Sequence, residues 1–275
     1  MGIEASVNPA AVSPESPPRL PQVHPVGLAA PLRWLAAGAR DFAATHFAGA
    51  FYGAVFAAMG LTVLLIYRWQ WQWAWSLIAG FFLIGPFVCS GLYWLSRARE
   101  RGETTRLADS LTCWRVNPAN IGWIASILAF VFIIWGRVSA VFFALISTHD
   151  FPTLDGLLGQ VFSLANWPYL LVWSVVTGFF GLLAIAVGAI SLPMLLDRKV
   201  DTIYALIVNV RAMLANPAPM LLWALIVVVL IGPSLAFGMV GLLVTAPLVG
   251  HGTWHAYREL VGDAPPDSPG EVAQA

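Results

Sequence analysis

Five stretches of this chain, 47–67, 73–95, 121–146, 169–196 and 220–249, are each long and apolar enough to cross a lipid bilayer. A membrane-crossing helix needs roughly 20 mostly apolar residues, since at 1.5 Å per residue that length spans a ~30 Å hydrocarbon core. With 59% hydrophobic residues, only 10% charged and a mean hydropathy of +0.77, the chain has too little polar surface to cover a water-soluble globule of its size. The expectation is an all-α, polytopic transmembrane helical bundle.

The block 220–249 is 30 residues long, more than one span, and "IGPS" at 231–234 interrupts it with a glycine and a proline. Read as two short spans in a tight hairpin, it brings the total to about six; read as one long kinked helix, it leaves five. Charge favours six. Every basic residue except Arg68 and Arg137 falls in the N-terminal region, the segment 97–115, the segment 198–211 or at Arg258, whereas the loop 147–168 has no Lys or Arg. Positive segments stay cytoplasmic, so an even number of spans places both termini in the cytoplasm.

Three stretches share one plan, a short amphipathic lead followed by two spans and a proline before a basic exit. Aligning Pro86 with Pro247 sets Gly91 over Gly252, Tyr93 over Trp254 and Arg97 over Arg258. Leu107, Leu111 and Trp114 precede Asn117-Pro118, and Ile203, Leu206, Ile207 and Val210 precede Asn216-Pro217, each set making one apolar stripe on an interfacial helix. The expected organisation is a disordered tail over 1–29, a membrane domain over 30–262 with hairpin units of about 32–99, 106–199 and 201–260, and a second tail over 263–275.

The segments "PMLLDRKVDTIYALIVNVRAMLANPAPMLLWAL" and "GLLVTAPLVGHGTWHAYREL" resemble a family of uncharacterised bacterial integral inner-membrane proteins, a domain of unknown function. Some of its members are labelled as cytochrome c oxidase subunits. The resemblance covers roughly 32–261 and implies a multi-pass protein of the bacterial inner membrane, without supplying chemistry. No block here resembles the multi-histidine helices of a haem–copper subunit.

His251 and His255 stand four apart, hence on one helical face about 6 Å from each other. With His46 and Cys113 on the same side of the membrane, they are the candidate metal set, with haem or copper as the group they would hold. The other reading makes the foot of this helix an aromatic anchor at the interface, formed by Trp254, Tyr257 and Arg258 and, in the first unit, by Tyr93, Trp94 and Arg97. On that reading His251→Ser with His255→Trp copies Ser90 and Trp94 and is tolerated. Arg137 is the candidate buried charge, alone well inside an apolar block, where a charge costs at least ~2.5 kcal/mol unless paired or hydrated. The tryptophan-rich turn "YRWQWQWAWS" reads as an outer interface belt, "RARERGE" and "LDRKVD" as solvated inner loops, and 147–168 as a site for a small amphipathic helix.

Nothing resembles a Walker loop, an HExxH helix, a GxSxG elbow or a paired-carboxylate site, and the formal net charge of zero offers nothing to nucleic acid. No catalytic residues and no resident cofactor are expected. The leading expectation is a non-catalytic membrane scaffold or accessory subunit whose partners are membrane lipids and a membrane protein. The alternatives are a small transporter or lipid-handling protein using Arg137, and a haem- or copper-associated redox protein using His251 and His255.

Overall fold

Asn117 and Asn216 each stand before a proline, and each ends one helical segment and begins the next. Proline is suited to the first turn of a helix because its φ is already helical and its missing N–H has no intrahelical partner there. The computed structural model describes residues 21–69, 74–146, 167–236 and 238–262. Among them the chain forms α1 (Ala30–Thr45), α2 (Phe47–Trp69), α3 (Ala74–Glu100), α4 (Leu107–Leu111), a 3₁₀ turn (Cys113–Val116), α5 (Pro118–Ile146), α6 (Trp167–Gly188), α7 (Ser191–Asp197), α8 (Thr202–Ala215), α9 (Pro217–Ala236) and α10 (Leu242–Leu260). The chain thus runs three times through a short helical segment followed by long helices.

Five helices among the described residues are long and apolar enough to cross a membrane: Phe47–Trp69, Gly80–Glu100, Pro118–Phe142, Leu170–Asp197 and Pro217–Ser234. The fold is a polytopic helical bundle. Its tightest packing lies at the basic end, where Trp34 meets Trp223 edge-on at 5.8 Å and Leu192, Leu195, Leu196, Trp254 and Tyr257 are fully buried. The spans themselves leave Leu61, Phe130, Leu171, Val175 and Val228 exposed, the side chains that lipid would cover.

The break expected at "IGPS" falls later. α9 runs through Pro233, and the chain turns at Gly238 and Met239, both with φ of +68°. A left-handed turn favours glycine, and Gly238 supplies it, whereas Pro233 removes one backbone donor without forcing a reversal. Ser234 and Thr245 join the two arms by a 3.0 Å hydroxyl contact. Gly60 of α2 packs against Met239 and Leu242, so the tip of this hairpin lies thirteen residues, ~20 Å, beyond Phe47 and nine residues, ~13 Å, short of Trp69. The α9–α10 hairpin is shorter than its neighbours, and α10 is not among the candidate spans.

Buried amides tie the short helices to the bundle. Asn209, fully buried in α8, accepts from the Ile190 N–H and donates to the Ile185 carbonyl, satisfying the backbone where α6 breaks into α7. Asn120 accepts from the Thr202 N–H at the start of α8. Of the tail read as 1–29, residues 21–29 are described and are held in place: His24 N–H donates to the Leu260 carbonyl, and Asn216 bonds both Val26 N–H and the His24 carbonyl. The remainder of that tail, the C-terminal tail from 263, residues 70–73 of the tryptophan turn and residues 147–166 lie outside the described residues.

Candidate functional site

α1 buries Trp34, Gly38, Asp41 and Thr45, an i, i+4, i+7, i+11 stripe that lays one face of the helix on α10. Glycine at both contact points lets the backbones approach: a Cβ at Gly38 would stand 2.6 Å from the Gly252 nitrogen and 2.7 Å from the Leu248 oxygen. That approach carries Asp41 in against His251 and His255, while α3 brings Ser96 and Arg99 from the other side.

The resulting network is buried at Asp41, Ser96 and His251 and reaches the surface at Arg99 and His255. Ser96 Oγ–H donates to Asp41 Oδ2 at 2.6 Å, and His255 Nε2 donates to the same oxygen at 2.8 Å. Arg99 Nε donates to Asp41 Oδ1 at 3.0 Å. With its proton committed to Asp41, Ser96 accepts from His251 Nδ1 at 2.7 Å, which leaves His251 Nε2 facing Thr45 Oγ1 at 3.5 Å. Asp41 is 5% exposed, Ser96 1% and His251 0%. α1 lies outside the candidate spans. Burial works to raise the Asp41 pKa, but the hydrogen bonds from His255 and Ser96, with the charge of the two imidazoles, outweigh it and hold the carboxyl below its usual range.

This grouping of Ser, His and Asp is not a nucleophile triad. In a triad the imidazole stands between the hydroxyl and the carboxylate and takes the hydroxyl proton. Here the hydroxyl stands between them and gives its proton to the carboxylate. The arrangement joins α1, α3 and α10.

A second network surrounds Asp197 at the end of α7. Arg97 Nε reaches it at 2.9 Å, Arg101 at 3.1 Å, Tyr257 Oη donates at 2.9 Å, and Arg258 lies at 3.7 Å. Arg198 donates to Tyr257 Oη at 2.8 Å and to the Val261 carbonyl at 2.9 Å. Glu100 accepts from Trp254 Nε1 and from Arg258, both at 2.9 Å, and Glu259 accepts from Trp34 Nε1 at 2.7 Å and from Arg33. Beside these pairs an open depression of about 400 Å³ is lined by Arg33, Trp34, Arg40, His255, Arg258 and Glu259.

Several expected placements are corrected. His251 and His255 share the Asp41 network, but His46 is exposed at the end of α1 (φ +45°) with Nδ1 on the Ala44 carbonyl, and Cys113 is buried in the 3₁₀ turn that follows α4. Burial pushes the Cys113 thiol up to about 11, which disfavours the thiolate a metal would take. No group of three or more His, Cys, Asp or Glu among the described residues is placed to hold a metal ion. Trp254, Tyr257 and Tyr93, read as interface anchors, are core residues at 1%, 0% and 5% exposure, because α10 is packed among α1, α2 and α3, with Tyr93 on the last of these. Trp94 is half-buried with the Arg97 guanidinium 5.0 Å above its ring, and Arg97 and Arg258 end in ion pairs. Arg137, the candidate buried charge, is exposed on the outer surface of α5 and makes no ion pair with another described residue. An outward arginine extends toward the headgroups and avoids the dry interior. "RARERGE" and "LDRKVD" are not wholly solvated loops, since Asp197 is 8% exposed among three arginines. Asp41, Ser96 and Asn209 escaped the sequence reading; for Asp41 the signal was its place on the Trp34, Gly38, Thr45 stripe.

No curated protein and no solved structure matches the chain. Residues 74–197, from the start of α3 to the end of α7, match a family model described as Predicted integral membrane protein (DUF2189). That stretch meets the two segments that carried the resemblance only at Pro193–Asp197. The match bears out the family expected from the resemblance: through its central helices the chain is similar to the DUF2189 integral membrane proteins, and it is itself an integral membrane protein.

Proposed function

We propose that the protein is a non-catalytic scaffold or accessory subunit of the bacterial inner membrane, with both termini cytoplasmic, that contacts lipid and a membrane partner through its interfacial helices. The observation that carries this reading is the face turned outward by α8. Its bundle side is made of Thr202, Ala205, Val208, Asn209 and Ala212, all buried, whereas Ile203, Ile207, Val210 and Leu214 are 70%, 43%, 42% and 76% exposed. A stripe of large apolar side chains held away from the core by a rigid, amide-anchored helix is an interaction surface. Leu32 on α1, Leu111 at the end of α4 and Trp114 in the turn after it extend the same exposed apolar character around the basic end of the bundle. Orientation follows from the basic residues gathered there.

A photo-crosslinking amino acid at Ile203, Ile207 or Leu214 in intact membranes tests the reading. Adducts to lipid or to a discrete protein are expected at all three positions. Quenching by water at all three would contradict it, because the helix would then face the cytosol.

A further inference from the structure

α2 and α5 both pack on α3, and between them a groove of about 470 Å³ opens outward from the bundle. Its walls are Phe51 and Val55 of α2, Phe87 and Val88 at the back, and Ile121 and Ala125 of α5. Its floor is the α4 segment. There the Tyr52 hydroxyl and Ser110 Oγ satisfy each other at 2.8 Å, so the floor presents little that would hold water. Tyr52 reaches that position because Gly91 of α3 leaves room for its ring, and Gly122 leaves the α5 wall open, with nothing within 4 Å of where its Cβ would be.

We propose that this groove holds one acyl chain of an anionic phospholipid whose phosphate sits at Arg115. The proposal deepens the scaffold reading and rests on its placing this end of the bundle at the headgroup level. The groove lies in the first turns of α2 and α5, among residues of the candidate spans, so the medium beside it is hydrocarbon. A helix about 10 Å wide would fill that volume in roughly one turn, too short to be a partner segment, whereas a single methylene chain is narrow enough to run its length. Charge fixes the headgroup. Trp114 is half exposed at the mouth with the Arg115 guanidinium 5.5 Å above its ring, which sets a cation beside the groove where a lipid phosphate would sit. Arg106 is exposed on the same segment, and the two outnumber Asp109.

The test uses the full chain reconstituted in phosphatidylcholine vesicles doped with phosphatidylglycerol, re-extracted in mild detergent and weighed by native mass spectrometry. Wild type is expected to retain one phosphatidylglycerol per chain. Gly122→Phe and Ala125→Trp both fill the groove and should each lower retention on the order of tenfold while leaving thermal unfolding unchanged; either variant suffices if the other fails to fold. Arg115→Gln should keep a bound lipid and lose the preference for phosphatidylglycerol. Retention untouched by the filling variants, or equal retention of both lipids by wild type, would overturn the proposal. Either result together with crosslinked adducts at α8 would reject the groove alone and leave the scaffold reading standing.

Discussion

Asp41→Ala is expected to destabilise the folded bundle by about 2–4 kcal/mol, read as a lower unfolding temperature in detergent. The carboxylate accepts from Ser96, His255 and Arg99 at once, and its loss leaves three donors without an acceptor. Each buried donor so stranded costs about 1–3 kcal/mol. Arg99 and His255, with side chains 38% and 28% exposed, can turn toward water, so the total falls short of three full penalties. The pH dependence has a definite sign. Because the Asp41 carboxyl is held below its ordinary value, its contribution is complete above about pH 4 and is lost as pH falls through the folded value. Acid should therefore weaken wild type in that low window and leave Asp41→Ala less affected. A variant as stable as wild type would show that the network does not hold α1 to the bundle.

Gly38→Val is expected to cost at least about 3 kcal/mol, at or beyond the upper end for overpacked sites. The neighbours of a Cβ at this position are the Gly252 nitrogen and the Leu248 oxygen, both backbone, so no side chain can swing aside. α1 would have to lift from α10, and Asp41 and Thr45 would leave the histidines with it. Gly80→Val is the control, since nothing lies within 4 Å of its Cβ position. Limited proteolysis within α1 together with thermal unfolding reads the difference. Equal behaviour of the two variants would remove the α1–α10 contact from the account.

The long helices were legible because their signal is local. The apolar blocks 47–67 and 121–146 correspond to Phe47–Trp69 and Pro118–Ile146 within a few residues, and Asn-Pro marked the starts of α5 and α9. The candidate site was legible only by half. His251 and His255 were visible as a pair, but their partners Ser96 and Asp41 lie 155 and 214 residues away, and a contact of that separation leaves no trace in spacing. Trp254 and Tyr257 were misplaced for a related reason. Aromatic residues at the basic end of an apolar helix suit a headgroup interface and a protein core equally well, and α10 is in the core because Gly250 and Gly252 admit Leu92, Trp34 and Trp223 against it. The tip of the last hairpin was misjudged because Pro233 is the more conspicuous breaker in the sequence, while the reversal needs the positive φ of Gly238.

His251 and His255 join α10 to α1 and α3 as a structural clamp. Metal content, visible absorbance and thermal unfolding of the purified protein, compared between wild type and His251→Ser with His255→Trp, separate this clamp from a metal or haem site. Contrary to the tolerance expected from Ser90 and Trp94, the clamp predicts a clear loss of thermal stability in the variant, since the 0% exposed His251 and the Asp41-bonded His255 are both replaced, with neither metal nor an absorbance band in either protein. Stoichiometric metal or a Soret band in wild type that disappears in the variant would contradict it.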